Sequence, residues 1–278
     1  MKLLTIGNPK TEKSVNFGFL TAVLHLAPSN LSGIANVCSR ATKGCIAACL
    51  NTAGRGGIIK AGEITNAIQL CRIARTRFLF EDTREFLSKL DSEIASHVRA
   101  SRKLGLTPAV RLNGTSDLDW SKLPTKNWGE LSADLIRFRS ESDKVVFYDY
   151  TKRADLFDTY MQKRFPIELA FSRAETDANK RVAAAILRRP GTGGRVAAVF
   201  DTPKGKALPE TFNGVSVVDG DEHDLIFKHA GPVVIGLRAK GKARRDSTGF
   251  VVRTFPAYDV TKAGPARGVG KAYTSAQG

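Results

Sequence analysis

Apolar positions recur along the chain in two rhythms. FGFLTAVLHLAP (17–28) is a nearly unbroken aliphatic run closed by proline, which predicts a buried strand. EITNAIQLCRIARTRFLFED (63–82) places Ile64, Ile68, Cys71 and Leu79 at helical spacing. TREFLSKLDSEIASHVRASRKLG (83–105) reads as a second amphipathic helix that stops at Gly105. Beyond it, PAVRLNGTSD (108–117), KVVFYDYTKR (144–153), PIELAFSRAET (166–176), RVAAVFDTPKG (195–205), GVSVVDGDEHD (214–224) and GPVVIGLRAKG (231–241) each begin apolar and end polar. Each predicts a strand, and DANKRVAAAILRR (177–189) predicts a helix among them. Aliphatic strands with polar ends suit a parallel α/β sheet, whose carboxyl-terminal strand edges carry the site. Their number favours a parallel (β/α) barrel, complete or partial and TIM-like, over an open doubly wound sheet. No linker or repeat interrupts the pattern, which predicts one domain over residues 1–261. Residues 262–278, KAGPARGVGKAYTSAQG, are small, polar and basic and predict a flexible tail.

Charge changes the picture more than length does. In 278 residues, 43 Lys and Arg stand against 27 Asp and Glu, a formal charge of +16. The excess is spread over RIARTR (72–77), VRASRK (98–103), LRRPGTGGR (187–195) and AKGKARR (239–245). A distributed basic excess predicts a polyanionic partner, nucleic acid, with DNA ahead of RNA. Hydrophobic residues make up 42% of the chain, enough for a substantial core. The apolar runs are too short to cross a membrane, and MKLLTIGNPKTEKS has too short an apolar run for a signal peptide. The expected compartment is the cytoplasm, where thiols stay reduced and disulfides are disfavoured.

Three of the four cysteines, Cys38, Cys45 and Cys49, fall inside NVCSRATKGCIAACLNTAGRGG (36–57), directly after the first long strand. Core cysteines normally sit singly in apolar runs, so the clustering points to chemistry. A zinc knuckle calls for C-x2-C pairs, and the spacing here is C-x6-C-x3-C. An iron–sulfur cluster is larger and accepts sulfurs from a more open loop, so a cluster leads, with zinc and reduced unligated cysteines as alternatives. Arg40 and Lys43 would offset its negative charge. Cys71 is either a fourth ligand brought back by its helix or a small residue of that helix's apolar face.

The segments LHLAPSNLSG, ACLNTAGRG, RTRFLFED, AVRLNGTSD, FYDYTK, FSRAE and VVDGDEHD resemble a family of bacteriophage and prophage proteins, the gene-product-eighty-eight family. The resemblance covers most of residues 17–252 and implies a phage origin, which would make the compartment the host cytoplasm. More remotely, a first strand, a cysteine loop and strands ending NGTSD and TKR are similar to phage proteins related to radical S-adenosylmethionine enzymes. That likeness implies a four-iron cluster on Cys38, Cys45 and Cys49, with Asn113, Thr115, Ser116 and Asp117 where cosubstrate or substrate binds. S-adenosylmethionine itself would then be a possible cofactor. The chain departs from that pattern: C-x6-C-x3-C replaces the tighter C-x3-C-x2-C, and the second strand lacks a Gly-Gly-Glu ending.

On a parallel sheet the polar strand ends converge, bringing Asn113, Ser116 and Asp117 together with Asp149, Lys152, Arg153, Ser172, Arg173 and Glu175. Such an ensemble could bind a phosphate-bearing ligand and supply acid–base groups. From it, Asp117, Asp149 and Lys152 are the catalytic candidates, and Asn113, Thr115, Ser116 and Arg173 the cofactor-binding ones. DGDEHD (219–224) could ligate a divalent ion but also reads as an ordinary turn. TAGRGG (52–57) could cradle a phosphate on backbone amides, though it lacks Walker spacing. GTGG (191–194) reads as a turn, His25 as a core residue and His97 as solvated. Three functions follow: an iron–sulfur, radical S-adenosylmethionine-like enzyme acting on nucleic acid or nucleotides; a non-enzymatic DNA- or RNA-binding protein stapled by a cluster or zinc; or a base-exchanging transglycosylase that installs deazaguanines through paired aspartates.

Overall fold

A computed structural model describes residues 1–7, 9–162, 164–189 and 194–254. The expected tail and most of the 191–194 turn lie outside the described residues. The chain opens with β1 (Leu4–Ile6), a short α1 (Pro9–Glu12) and β2 (Phe19–Leu24), the core of the first aliphatic run. A long connection follows, carrying α2 (Lys43–Ala47), α3 (Ala67–Glu81) and α4 (Thr83–Lys103). Strands and helices then alternate as β3 (Thr107–Arg111), α5 (Gly129–Glu141), β4 (Val146–Thr151), α6 (Ala154–Met161), β5 (Glu168–Ser172), α7 (Asp177–Arg188) and β6 (Arg195–Phe200). Last come β7 (Thr211–Phe212), β8 (Val215–Asp219), β9 (Val233–Arg238) and β10 (Val251–Val252).

The described strands form one sheet in the order β1-β2-β3-β4-β5-β6-β9-β8-β7, and β10 pairs β6. From β2 through β9 to β8 every pairing is parallel. The run β2 to β6 is sequential, so successive right-handed crossovers wind in one direction and stack their helices on one face. The sheet does not close into the barrel expected from the sequence. At one edge β2 takes antiparallel β1, at the other β8 takes antiparallel β7, and these pairings occupy the ladder edges that closure would need.

Side chains alternate across the strands, and the two faces differ. Val110, Phe147, Leu169, Phe171, Val196, Ala198 and Val234 join the main core beneath the helices, with Phe86, Leu90 and Ile94 of α4. Ala109, Tyr148, Ala170, Ala197 and Ile235 face the other way, against Leu225, Ile226 and the half-buried Phe17, Phe19 and Phe227. Because the long strands are parallel, their carboxyl ends share one edge, and a third cluster of small residues lies there. Ala48, Ala174, Ala239, Ala243, Phe250 and Val251 pack together with Cys45 against them. β10 extends this edge by pairing Val251 with Val199, beyond the point where β5 leaves β6.

Candidate functional site

The connection between β2 and α3 is held to the strand edge at several points. Thr42 caps α2, its hydroxyl oxygen accepting from the Cys45 amide at 3.2 Å. The same hydroxyl donates to Glu175 at 2.6 Å, and the Gly44 amide donates to the other Glu175 oxygen at 2.7 Å. Glu175, just past β5, therefore anchors the helix that carries Cys45. Gly44 has no alternative here: a Cβ would stand 2.3 Å from the Thr248 hydroxyl and 2.7 Å from the Glu175 carboxyl carbon. Cys49 caps the turn Leu50–Thr52, its sulfur accepting from the Asn51 amide at 3.5 Å. Cys38 donates its thiol to the Thr115 carbonyl at 3.8 Å, tying the loop to the segment after β3.

Cys38, Cys45 and Cys49 are all half-buried and free. Burial pushes the Cys38 thiol up to about 12, and negative charge on Cys49, Asp117 or Cys45 would raise it further. Burial and Cys45 likewise raise Cys49, against the opposing pull of Arg72 and Lys152. The three sulfurs thus sit within one another's electrostatic reach, with Asp117, Arg72 and Lys152 around them. A nucleophilic cysteine needs a lowered pKa. Raised thiols instead ionise when a cation arrives to take them. A single zinc would draw its sulfurs to about 2.3 Å from the metal; among the described residues no three His, Cys, Asp or Glu side chains converge on one such point.

Cys71 does not join them. It is exposed on α3, beside Arg75. The buried face of α3 is Gln69, Arg72, Thr76 and Leu79. Ile64 lies ahead of the helix and is 94% exposed. Arg72 donates to the Asn51 side chain and lies within the field of Cys49.

The strand ends fall into three groups. Asp117 and Lys152 belong with the cysteines: the Thr151 hydroxyl and the Lys152 amide donate to the Asp117 carboxylate at 2.7 and 3.0 Å. Burial raises the Asp117 pKa. The Lys152 ammonium donates to Ser172 at 2.8 Å and lies 5.6 Å from the Phe250 ring centre. Asn113, Thr115 and Ser116 are spent on the turn after β3. The Asn113 carbonyl oxygen accepts from Ser116, the Leu118 amide and Trp120, its amide group donates to the Leu118 carbonyl, and Thr115 donates to the Leu26 carbonyl. Arg173 donates to the Gly249 and Phe250 carbonyls at 3.1 and 2.9 Å, holding the strap that leads to β10.

Asp149 lies deeper. Fully buried, it accepts from the Leu112 and Asn113 amides and from Arg111 at 3.4 Å. Burial, partly offset by Arg111, pushes its pKa up to about 7. Arg111 also reaches Asp224 at 3.2 Å, Asp224 reaches Lys10 at 2.8 Å, and the Tyr148 hydroxyl donates to Asp224. Burial favours the neutral Asp224 acid, but Lys10 and Arg111 outweigh it and hold the carboxyl well below its usual range. These charges neutralise one another inside the sheet's second face.

The other motifs also close on themselves. Within DGDEHD, Asp219 and Asp221 both pair with Arg238, and Asp221 with Lys240. His223 accepts from the Leu225 amide and stacks on His229 at 4.8 Å. In TAGRGG the Gly56 carbonyl accepts from Asn66 and Gln69. His97 is buried against the Leu20 carbonyl rather than solvated. Arg72 escaped the sequence reading because it belongs to a polar buried stripe; the helical spacing of Gln69, Arg72 and Thr76 was its available signal.

Among the described residues no helix is long and apolar enough to cross a membrane. No curated protein and no solved structure matches the chain. The sequence model described as Gene product 88 matches residues 2–254, spanning the sheet, the cysteine connection and every strand end described above, and the chain belongs to that family.

Proposed function

We propose that the chain is an iron–sulfur protein, akin to radical S-adenosylmethionine enzymes, that acts on nucleic acid or nucleotides in the cytoplasm of a phage host. The observation that carries this reading is the grouping of Cys38, Cys45 and Cys49 at the carboxyl edge of a singly wound parallel sheet, in mutual electrostatic reach. The donors are soft sulfurs, three of them once exposed Cys71 is set apart, and soft thiolates are the ligands an iron–sulfur cluster takes. Sequential winding from β2 supports a partial barrel, with the site at its open mouth. A four-iron cluster held by three thiolates would supply one-electron chemistry and an iron open to a cosubstrate such as S-adenosylmethionine.

Around that position the chain's own groups have distinct tasks. Arg72 and Lys152 offset thiolate charge at Cys49. Asp117, with its raised pKa, holds a proton more readily than a free aspartic acid. Asn113, Thr115 and Ser116 fix the turn that presents Asp117, and the +16 charge draws a polyanion to the molecule.

The test is anaerobic purification with iron and sulfide reconstitution. Brown protein with broad visible absorption and bound iron and sulfide is expected; Cys38→Ser, Cys45→Ser and Cys49→Ser each lose it, and Cys71→Ser keeps it. Colourless protein, or stoichiometric zinc in place of iron, overturns the reading. A cluster whose reduced electron paramagnetic spectrum ignores added S-adenosylmethionine reduces the protein to a stapled nucleic-acid binder.

A further inference from the structure

A cavity of about 400 Å³ opens beside the cysteine connection, lined by Thr52, Gly57, Gln69, Lys242, Arg244 and Arg245. Its size lies in the range of small-ligand sites, and beside Gln69 of α3 its walls come from two elements of different origin. One is the segment after Cys49, where Thr52 donates its hydroxyl to the Cys49 carbonyl at 2.9 Å. The other is the turn Gly241–Arg245, which follows β9 at the same sheet edge. The two meet closely enough to exclude side chains. A Cβ on Gly241 would stand 2.7 Å from the Thr52 carbonyl oxygen.

The cations in this wall are not neutralised. Their neighbours are: Arg238 and Lys240 pair with Asp219 and Asp221, and Arg253 lies 3.9 Å from Asp201. Asp246, one residue beyond the turn, spends its carboxylate on Thr248, Gly249 and Val251. Among the described residues Lys242 and Arg245 have no partner, and Arg244 reaches only the Ala239 carbonyl at 3.5 Å. The connection that supplies the other wall carries Arg40, Lys43, Arg55 and Lys60 in its sequence, and Glu63 is the sole acidic residue in positions 36–66. Like charges gathered around a concavity focus a positive potential that an anion relieves. Two guanidinium groups and an ammonium are the set that recognises phosphate oxygens.

We propose that this cavity binds phosphate groups of a single-stranded nucleic acid and lays the strand across the cysteine loop. The assignment rests on the nucleic-acid reading above and adds where that substrate is gripped. Phosphate contacts position a strand without reading its sequence, so affinity here is sequence-tolerant and steeply salt-dependent.

The experiment uses the full chain and a fluorescein-labelled single-stranded oligonucleotide of mixed sequence, titrated by anisotropy over a salt series. Unlabelled mononucleotide and inorganic phosphate serve as separate competitors. The triple variant Lys242→Ala/Arg244→Ala/Arg245→Ala is expected to bind at least tenfold more weakly. Its slope of log affinity against log salt falls by about 2, as loss of about three single-strand phosphate contacts requires. Arg244→Lys/Arg245→Lys retains the charge and most of the affinity. A charge-matched control at the opposite sheet edge, Arg99→Ala/Lys103→Ala/Lys144→Gly, is unchanged; glycine suits position 144, where φ is 58°. Thermal melting verifies that each variant folds. Equal affinity of the triple variant and the parent overturns the cavity while leaving a nucleic-acid function standing. Binding of mononucleotide, read directly by calorimetry, but not of oligonucleotide, and lost in the triple variant, overturns the strand and assigns the cavity to a free nucleotide. Binding of neither overturns both. Iron content, which the triple variant retains, reports separately on the cluster.

Discussion

Replacing Glu175 tests whether the cysteine helix is built into the sheet edge or merely rests on it. Glu175→Ala removes two hydrogen bonds to an ionised carboxylate, from the Thr42 hydroxyl at 2.6 Å and the Gly44 amide at 2.7 Å. Each such bond contributes about 1.5–3 kcal/mol. The carboxylate is half-exposed and water competes for it, so about 2–3 kcal/mol for the pair is the realistic figure. α2 has five residues and cannot stand alone, so the loss falls on local opening. At about 1.4 kcal/mol per factor of ten, amide exchange over residues 42–49 accelerates about 30- to 150-fold, whereas peptides from β3 and β4 keep their protection. Glu175→Gln, which retains one acceptor oxygen, falls between. A pH series adds an independent check. The bonds from Thr42 and Gly44 hold the Glu175 carboxyl below its usual range against the opposing effect of burial. Its contribution is therefore complete above the unfolded value, about 4.3, and is lost as pH falls through the lower folded value. After correction for intrinsic rates, the acid-induced loosening of 42–49 should appear in the parent and vanish in Glu175→Gln. Unaltered protection of 42–49 in Glu175→Ala would refute the anchoring.

Two further outcomes probe the buried charges. Asp149→Ala strips a partner from the Leu112 and Asn113 amides and from Arg111 in a fully buried place, so urea denaturation should register a loss of about 3–5 kcal/mol, with Asp149→Asn milder. A loss under 1 kcal/mol for the alanine variant would remove Asp149 from the structural role given to it. His97 is held below its usual pKa by burial, so its contribution is present above about 6.5 and lost as pH falls below that value. Asp149, raised to about 7, slopes the opposite way in the same window, so the informative quantity is the difference between the parent and His97→Gln. That difference should shrink as pH falls below about 6.5, by at most about 1.4 kcal/mol per pH unit. A pH-independent difference argues against a neutral buried imidazole.

The long strands were legible in sequence because parallel strands covered on both faces read as plain aliphatic runs, as in Ala22–Leu24 and Ala197–Ala198. What separates an open sheet from a barrel was not. Closure is decided at the edges, and these are capped by β1 of three residues and β7 of two, too short for any periodicity. Helix α3 misled for a different reason. Its apolar residues Leu70 and Cys71 face solvent, while Gln69, Arg72 and Thr76 are buried beneath the cysteine connection. Apolar periodicity finds faces that pack on a hydrophobic core, and this face packs on loop backbone, whose carbonyls ask for donors. The same exchange recurs at Asn113, whose polar atoms serve a turn. A polar strand end therefore identifies the edge of the sheet, and only the hydrogen bonds divide residues that hold the edge from residues the edge leaves free.

That division gives the molecule its polarity. Inside the second face, Lys10 and Arg111 are paired with Asp224 and Asp149, since an isolated charge there would be prohibitive. At the carboxyl edge the compensation stops. Asp219 and Asp221 satisfy Arg238 and Lys240, and one turn later Lys242, Arg244 and Arg245 meet no carboxylate at all. A chain with 27 acidic residues could have neutralised three cations as readily as it neutralised their neighbours. Leaving them bare around a cavity, against a loop nearly free of acidic residues, concentrates unspent positive charge where the sheet is open. The three unpaired cations therefore lie at the strand-end edge that the cysteine connection also occupies, where the proposed strand would meet both. Neutralising the cavity should accordingly weaken the strand without loosening the thiols, and loosening α2 through Glu175 should do the reverse.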